Sequence, residues 1–314
     1  MTTHHVLDSR GEVILVILNS NAPFADWIPP SGEDVKSSHP SKQVTTQEQK
    51  KNDTNLEDSA QDTEDVPDAS AENVNPDVRI QVSARHLMLG SPVFDKMLSG
   101  NWAEGRELKE IGSIELSMDG WDIEALLVVL NTLHARLSEI PRKMTVEQLA
   151  KVAIIADYYD CQNVKCLANW WKCCVPASPP DIYSREVVLG LWVAHFFDYK
   201  DHYRAYANSA VLHSDGYIIP LGIPFPEDII DSLNDERISM ISKELDIVYE
   251  YRDSLLNDAS GLKGSPSKHN KTKNLRLGDV TKLMHSLKLG HNRPDAPYLG
   301  IRYLDAYRVA LLKA

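Results

Sequence analysis

Residues Val78 to Leu98 place an alternating strand directly ahead of a capped helix, and this order constrains the fold more than any other stretch of the chain. Val78-Arg79-Ile80-Gln81-Val82 alternates apolar and polar residues, the period of a half-buried strand. Ser83-Ala84-Arg85-His86-Leu87 continues it, and Ser91-Pro92-Val93-Phe94 supplies a serine cap with a proline in the first turn. The boundary between the two elements is thus written in the residues.

A strand needs neighbours. Glu12 to Leu18 (Glu-Val-Ile-Leu-Val-Ile-Leu) is a continuous β-branched and aliphatic run of strand length, which predicts a strand buried on both faces inside a sheet. Gly11 before it and Asn19-Ser20-Asn21 after it provide the breaks. Between the two strands the composition changes. Residues 31–77 contain no aromatic residue, and 12 acidic against 4 basic side chains give the segment a net charge of −8. From Asn52 to Asp77 there are nine acidic residues and no Lys or Arg. Such a segment cannot bury enough apolar surface to offset chain entropy, so a disordered acidic insert is expected at 31–77.

Beyond Leu98, Ile111 to Leu116 is a further strand candidate. Trp121 to Arg136 carries Ile123, Leu126, Leu127, Leu130 and His134 at helical spacing. Thr145-Val146-Glu147-Gln148 is a capping box opening a helix with the stripe Val146, Leu149, Ala153, Ala156 and Tyr159. Asn163 is the expected cap of a helix carrying Val164, Leu167, Trp170 and Trp171. After the break at Pro176 to Asp181, helices are predicted over Arg185 to Phe197 (Ser184 as cap), Tyr199 to Leu212 and Asp235 to Leu255. The last has Ile238, Ile241, Leu245, Val248 and Leu255 on one stripe. Arg252 on that seam and a span of only about three heptads favour packing within the domain over a coiled coil. Gly261 to Asn274 reads as a flexible basic loop, leaving Lys268, Lys271, Lys273 and Arg276 as solvated charge. Tyr303 to Leu312 is the closing helix.

The four cysteines sit at 161, 166, 173 and 174. Cys-x4-Cys-x6-Cys-Cys is not a zinc-knuckle spacing, and adjacent residues on a helix point about 100° apart. Reduced thiols on a helix are the expectation, with no metal and no cofactor. No glycine-rich phosphate loop, nucleophile elbow or His-Glu-x-x-His occurs. His195 and His202, seven apart, could share a helical face, and Asp157 and Asp160 flank a helix end, but neither pair makes a catalytic pattern. An enzyme in the helical region after Ser184 has no motif behind it.

With 45 acidic and 33 basic side chains the chain carries −12, of which most belongs to the insert. This disfavours general attraction to nucleic acid or anionic membranes. The longest apolar run near the N-terminus, Val13 to Leu18, is six residues, whereas a membrane span needs roughly 20. An intracellular protein, in cytoplasm or nucleus, is expected.

The ordered pieces resemble a BTB/POZ domain of the type abundant in filamentous fungi. Glu12 to Leu18 is similar to its first strand, with Asn21-Ala22-Pro23-Phe24-Ala25 just after it. Val78 to Leu89 is similar to the second strand entering the first helix, with "VSARHL", "SPVF" and "KMLSGNWAEG". Ile114-Glu115-Leu116 is similar to the third strand and "EALLVVLNTLHAR" to the next helix. "LAKVAIIADYYDCQNV" is the most specific element and contains Cys161. Beyond Val175, "IIDSLNDERISMI" and "PYLGIRYLDAY" are looser matches to a helical extension and closing segment.

The resemblance implies an α+β fold, a short β-sheet packed against a helical cluster, followed by an all-α C-terminal extension. The boundaries it suggests are 11–175 for the BTB/POZ domain, 182–257 for the helical extension, 258–277 for the flexible basic loop and 278–314 for a C-terminal helical segment. It implies a non-catalytic protein-interaction module without a small-molecule substrate. Several BTB families recruit cullin-3 and present substrates for ubiquitylation. On that reading the partner-binding candidates are Arg136, Leu137, Glu139, Arg142, Asn163 and Lys165. The alternative is a nuclear regulator recruiting transcription or chromatin partners without direct DNA binding. No helix precedes the strand at Glu12, so a swapped homodimer is not expected.

Overall fold

The computed structural model describes residues 3–27, 78–100, 102–260 and 268–311. The expected disordered insert at 31–77 lies outside them. All described residues belong to one compact unit, a mixed α+β fold with a four-stranded sheet.

The aliphatic run forms β2 (Val13–Leu18), and it lies inside the sheet between β3 (Val78–Val82), which it meets antiparallel, and β4 (Ile114–Asp119), which it meets parallel. Leu15 is paired with Ile80 on one side and Leu116 on the other. Val13, Leu15 and Ile17 are fully buried, and so are Ile80 and Val82. On β4 the alternation is strict: Ile114, Leu116 and Met118 are buried, while Glu115, Ser117 and Asp119 face solvent. Across the opposite face an ion pair joins Arg79 to Glu115 over the central strand.

A fourth strand, β1 (Thr3–Val6), lies parallel to β3 at the sheet edge, so the order is β1-β3-β2-β4. The strand at Glu12 is therefore the second in the chain and not the first. Thr-His-His-Val has no apolar run to announce it. Its pairing with β3 and the Arg136 guanidinium, which donates to the carbonyls of Val6 and Leu7 at 3.1 Å each, hold it in place.

The helix expected after Val82 is two helices, α1 (Ala84–Gly90) and α2 (Pro92–Leu98). Pro92 causes the break. Its ring drives the preceding residue out of the helical region, and Ser91 is extended at φ −147° and ψ 116°. Ser91 then caps α2, its Oγ accepting the Phe94 N–H at 3.1 Å, and donates to the Tyr159 carbonyl. A helix not foreseen, α3 (Ala103–Ile111), ends at Gly112 with φ +85°, so the strand expected from Ile111 begins only at Ile114.

Asp122 caps α4 (Ile123–Leu133) through the Ala125 N–H at 3.0 Å. The Thr145 capping box opens α5 (Val146–Tyr158), and Leu149, Ala153, Ala156 and Tyr159 are buried as their spacing predicts. Asn163 is not a cap. It lies inside a 3-10 stretch, Gln162–Leu167, which leads into the single turn α6 (Ala168–Trp171).

Next, α7 (Arg185–Phe196) packs on α5, and α8 (Lys200–His213) packs on α7. His195 and His202 therefore sit on different helices. The same hydrophobic core runs from Val13 through Val193 and Val211 to Leu233, so no break in packing separates 11–175 from the helices after 182.

Next comes α9 (Glu227–Ser260), 34 residues and longer at both ends than the predicted Asp235–Leu255. Its second half builds a separate core with α10 (Lys268–Ser286) and α11 (Tyr303–Ala310). Ile241, Leu245, Val248 and Leu255 meet Val280, Met284, Ala306 and Val309 there. The stripe thus serves packing within the chain. The flexible basic loop expected at 258–277 is helical over 258–260 and 268–277, because Leu277, Val280 and Met284 anchor α10 to α9. Residues 261–267 lie outside the described residues. No described helix is long and apolar enough to cross a membrane.

Candidate functional site

At the end of α4 the chain turns through Ala135, at φ +54°, and enters a short 3-10 turn, Leu137–Glu139. This loop forms one rim of a groove of about 390 Å³ beside β1. Leu127 and Val128 of α4 and Met144 ahead of α5 line it, with Val6 on the strand side and Arg136 and Glu139 on the loop side. The lining is mixed, with Leu127, Val128 and Met144 apolar and Glu124, Asn131 and Gln148 polar beside them.

The base of the loop is rigid. His134 closes α4 with its ring buried: Nε2 accepts the Ser83 N–H at 3.0 Å and Nδ1 donates to the Leu130 carbonyl at 2.8 Å. Only the neutral tautomer with its proton on Nδ1 satisfies both bonds. Burial holds its pKa below the ordinary imidazole value, with the stacked His86 ring 4.9 Å away acting in the same direction. Beyond the loop Ile140 is buried, Pro141 accepts the Trp171 indole N–H at 2.9 Å, and the Arg142 guanidinium lies 3.2 Å from the Trp170 ring centroid.

These contacts sort the six residues expected from sequence. Leu137 is 46% exposed and Glu139 is exposed on the same turn. Arg136 lines the groove but spends its guanidinium on holding β1. Arg142 is committed to Trp170. Asn163 is exposed on the 3-10 stretch, and Lys165 turns to α7, its Nζ 4.7 Å from the Phe196 ring centroid. The structure therefore places Arg136 and Glu139 at the groove, leaves Leu137 exposed on the same turn but outside the lining, and directs Lys165 elsewhere. Sequence reasoning missed Val6, Leu127, Val128 and Met144, whose shared surface exists only once β1 joins the sheet.

Around Lys165 a second set of titratable groups collects. Burial raises the Asp157 pKa and lowers that of His195, and Lys165 lowers both. Asp160 takes φ +50° at the helix end and accepts the Gln162 side-chain N–H at 2.6 Å. The pair at 157 and 160 is thus part of a helix terminus. Among the cysteines, Cys161 is fully buried and burial pushes its thiol up to about 12. Cys166 and Cys173 are exposed. The adjacent sulfurs of Cys173 and Cys174 donate to different carbonyls, of Trp170 and Arg142, at 3.8 Å each.

Compared with protein-family models, with curated proteins and with solved structures, the chain gives no match.

Proposed function

We propose that the chain is a non-catalytic protein-interaction module of BTB/POZ type, acting inside the cell as a substrate adaptor for a cullin-3 ubiquitin ligase. The observation that carries the reading is the rim at Arg136–Glu139. An exposed leucine sits beside an exposed glutamate on a short turn whose base is locked by His134, Ile140 and Trp171. A half-exposed aliphatic side chain on a rigid turn costs little entropy to dock, which is what a recognition contact needs. The three stretches that resemble the family's strands are β2, β3 and β4 of one sheet, which is in keeping with this reading.

Affinity purification of the full chain tests it. Recovery of cullin-3 that is lost on Leu137→Asp and on Glu139→Arg is the expected result. Recovery that neither substitution changes, or enrichment of chromatin proteins with no cullin, would sink the adaptor reading.

A further inference from the structure

The strand β1 lies at the sheet edge, and its outer side is open. Leu7 donates its N–H to the Gln81 carbonyl at 3.0 Å, so alternate residues from Leu7 back along β1 turn toward β3. The N–H and C=O of His4 and the N–H of Val6 then point away from the sheet. Arg136 fits the same sense, since it reaches the Val6 carbonyl from that outer side at 3.1 Å. Among the described residues no main chain pairs with His4 or Val6 there, and both residues are exposed.

The groove beside β1 carries a second signal. His5 lies on the core-facing side of the strand, level with buried Ile80, and borders the groove together with Glu124, Leu127 and Val128, which share one stripe of α4 at helical spacing. The guanidinium of Arg136 is spent on the Val6 and Leu7 carbonyls. Glu124 and Glu139 are exposed and, among the described residues, form no ion pair. They accept from neutral donors, Gln148 Nε2 at 3.2 Å and Ser138 Oγ at 3.3 Å. Two carboxylates without a cation thus stand beside main-chain groups without a strand.

We infer that the open edge of β1 takes up an extended peptide segment of a partner protein, carrying Lys or Arg, as a further strand of the sheet. A residue opposite His4 exchanges both main-chain hydrogen bonds with it, and the Val6 N–H supplies a third. The side chains before and after that residue then turn to the core-facing side, toward the groove. There Leu127 and Val128 receive apolar atoms, and Glu124 and Glu139 receive the cation. An acidic segment is rejected by the same two carboxylates. Four residues make β1 too short to template a growing sheet, as long bare edges do, yet long enough to fix this register. The inference does not rest on the cullin reading, because Leu137 lies outside the groove lining.

The test is fluorescence anisotropy of a labelled, end-blocked peptide, Lys-Thr-Val-Thr-Lys, titrated with the full chain. As a strand it places both lysines and the valine on one face. Saturable binding is expected, with Kd of about 10–500 μM. N-methylation of the two threonines, whose main-chain groups face β1, should abolish it, and Glu-Thr-Val-Thr-Glu should not bind. Val6→Pro deletes an outward N–H and keeps the bonds to β3. It should weaken binding about five- to tenfold, the worth of one main-chain hydrogen bond, with circular dichroism unchanged. Glu124→Gln with Glu139→Gln, both exposed, should weaken it several-fold. Leu137→Asp, on which the cullin test relies, should leave peptide binding intact, so the two readings fail separately. No binding at about 500 μM chain would overturn the inference. So would binding that Val6→Pro and the glutamine pair leave unchanged, which would place the peptide on the acidic residues of 52–77. A dimer of the chain that Val6→Pro dissociates, with no peptide binding, would also overturn it and assign the edge to a second copy.

Discussion

The imidazole of His134 joins the last turn of α4 to the first turn of α1 by accepting the backbone N–H of Ser83 at 3.0 Å. Because that N–H is buried, the bond makes the fold depend on His134 staying neutral. Free imidazole titrates near 6.5 and His134 is held below it. As pH falls through 6.5 the unfolded chain takes up a proton that the folded chain refuses, so stability is lost over the interval down to the folded pKa. His195, also held low by burial, acts in the same direction.

The first prediction follows. Unfolding in urea should show lower stability at pH 5.5 than at pH 7.5. His134→Phe removes both the acceptor and the titration, and should cost about 1–3 kcal/mol at pH 7.5 for the orphaned Ser83 donor. Its stability should also change less between the two pH values. A variant with the full pH dependence of the parent would show that His134 is not the responsible group.

Arg237 carries the second. It is 1% exposed and, among the described residues, meets no carboxylate; its guanidinium donates to the carbonyls of Ser214, Pro297, Tyr298 and Ile301 at 2.8–3.3 Å. Burial lowers its pKa, yet an arginine stays charged in proteins, so the four carbonyls must compensate for lost water. Arg237→Met should destabilise by several kcal/mol, as removing buried charge-assisted bonds does. Arg237→Lys should not rescue it, since one ammonium cannot span four carbonyls on two segments. Hydrogen exchange should localise the loss to α11 and residues 290–302; unchanged protection there would argue against the clamp.

Much of this was legible in the residues and some was not, for identifiable reasons. Leu15 and Ile80 announced their strands because burial on a sheet imposes a period that composition reveals. Thr145 and Gln148 announced α5 because a capping box is local chemistry. Thr3–Val6 gave no sign, since its strand state rests on β3, some 75 residues away. Lys268 to Asn274 misled, because polar composition hid the anchoring residues Val280 and Met284 further along. The candidate rim was legible as residues at 136–139, but its groove was not: Val6 and Leu127 meet only in three dimensions.

Ser91 gives a third prediction. Its hydroxyl accepts from Phe94 N–H and donates to the Tyr159 carbonyl, so one buried oxygen joins the cap of α2 to the end of α5. Ser91→Ala should cost about 1–3 kcal/mol, combining a lost cap with a buried Tyr159 carbonyl left only the weak Cys161 Sγ–H donor at 3.7 Å. Thr145→Ala, an exposed cap, should cost only about 1 kcal/mol. Chemical denaturation of both variants checks the order, and a reversal would mean that water replaces the Ser91 bonds.

A close approach between α7 and α8 supplies the last. A Cβ on Gly190 would stand 2.1 Å from Cε1 of Tyr206, and both residues are buried. Gly190 is present for space, because a helix interior otherwise favours alanine by about 1 kcal/mol. Gly190→Ala should therefore destabilise despite its better helix propensity, by about 1–3 kcal/mol, through overpacking. Tyr206→Leu alone should also destabilise, by opening a cavity. Together they should cost less than the sum, since shortening the ring makes room for the methyl group. A double-mutant cycle in urea measures the coupling, and additive costs would show that α7 and α8 separate rather than interlock at this point.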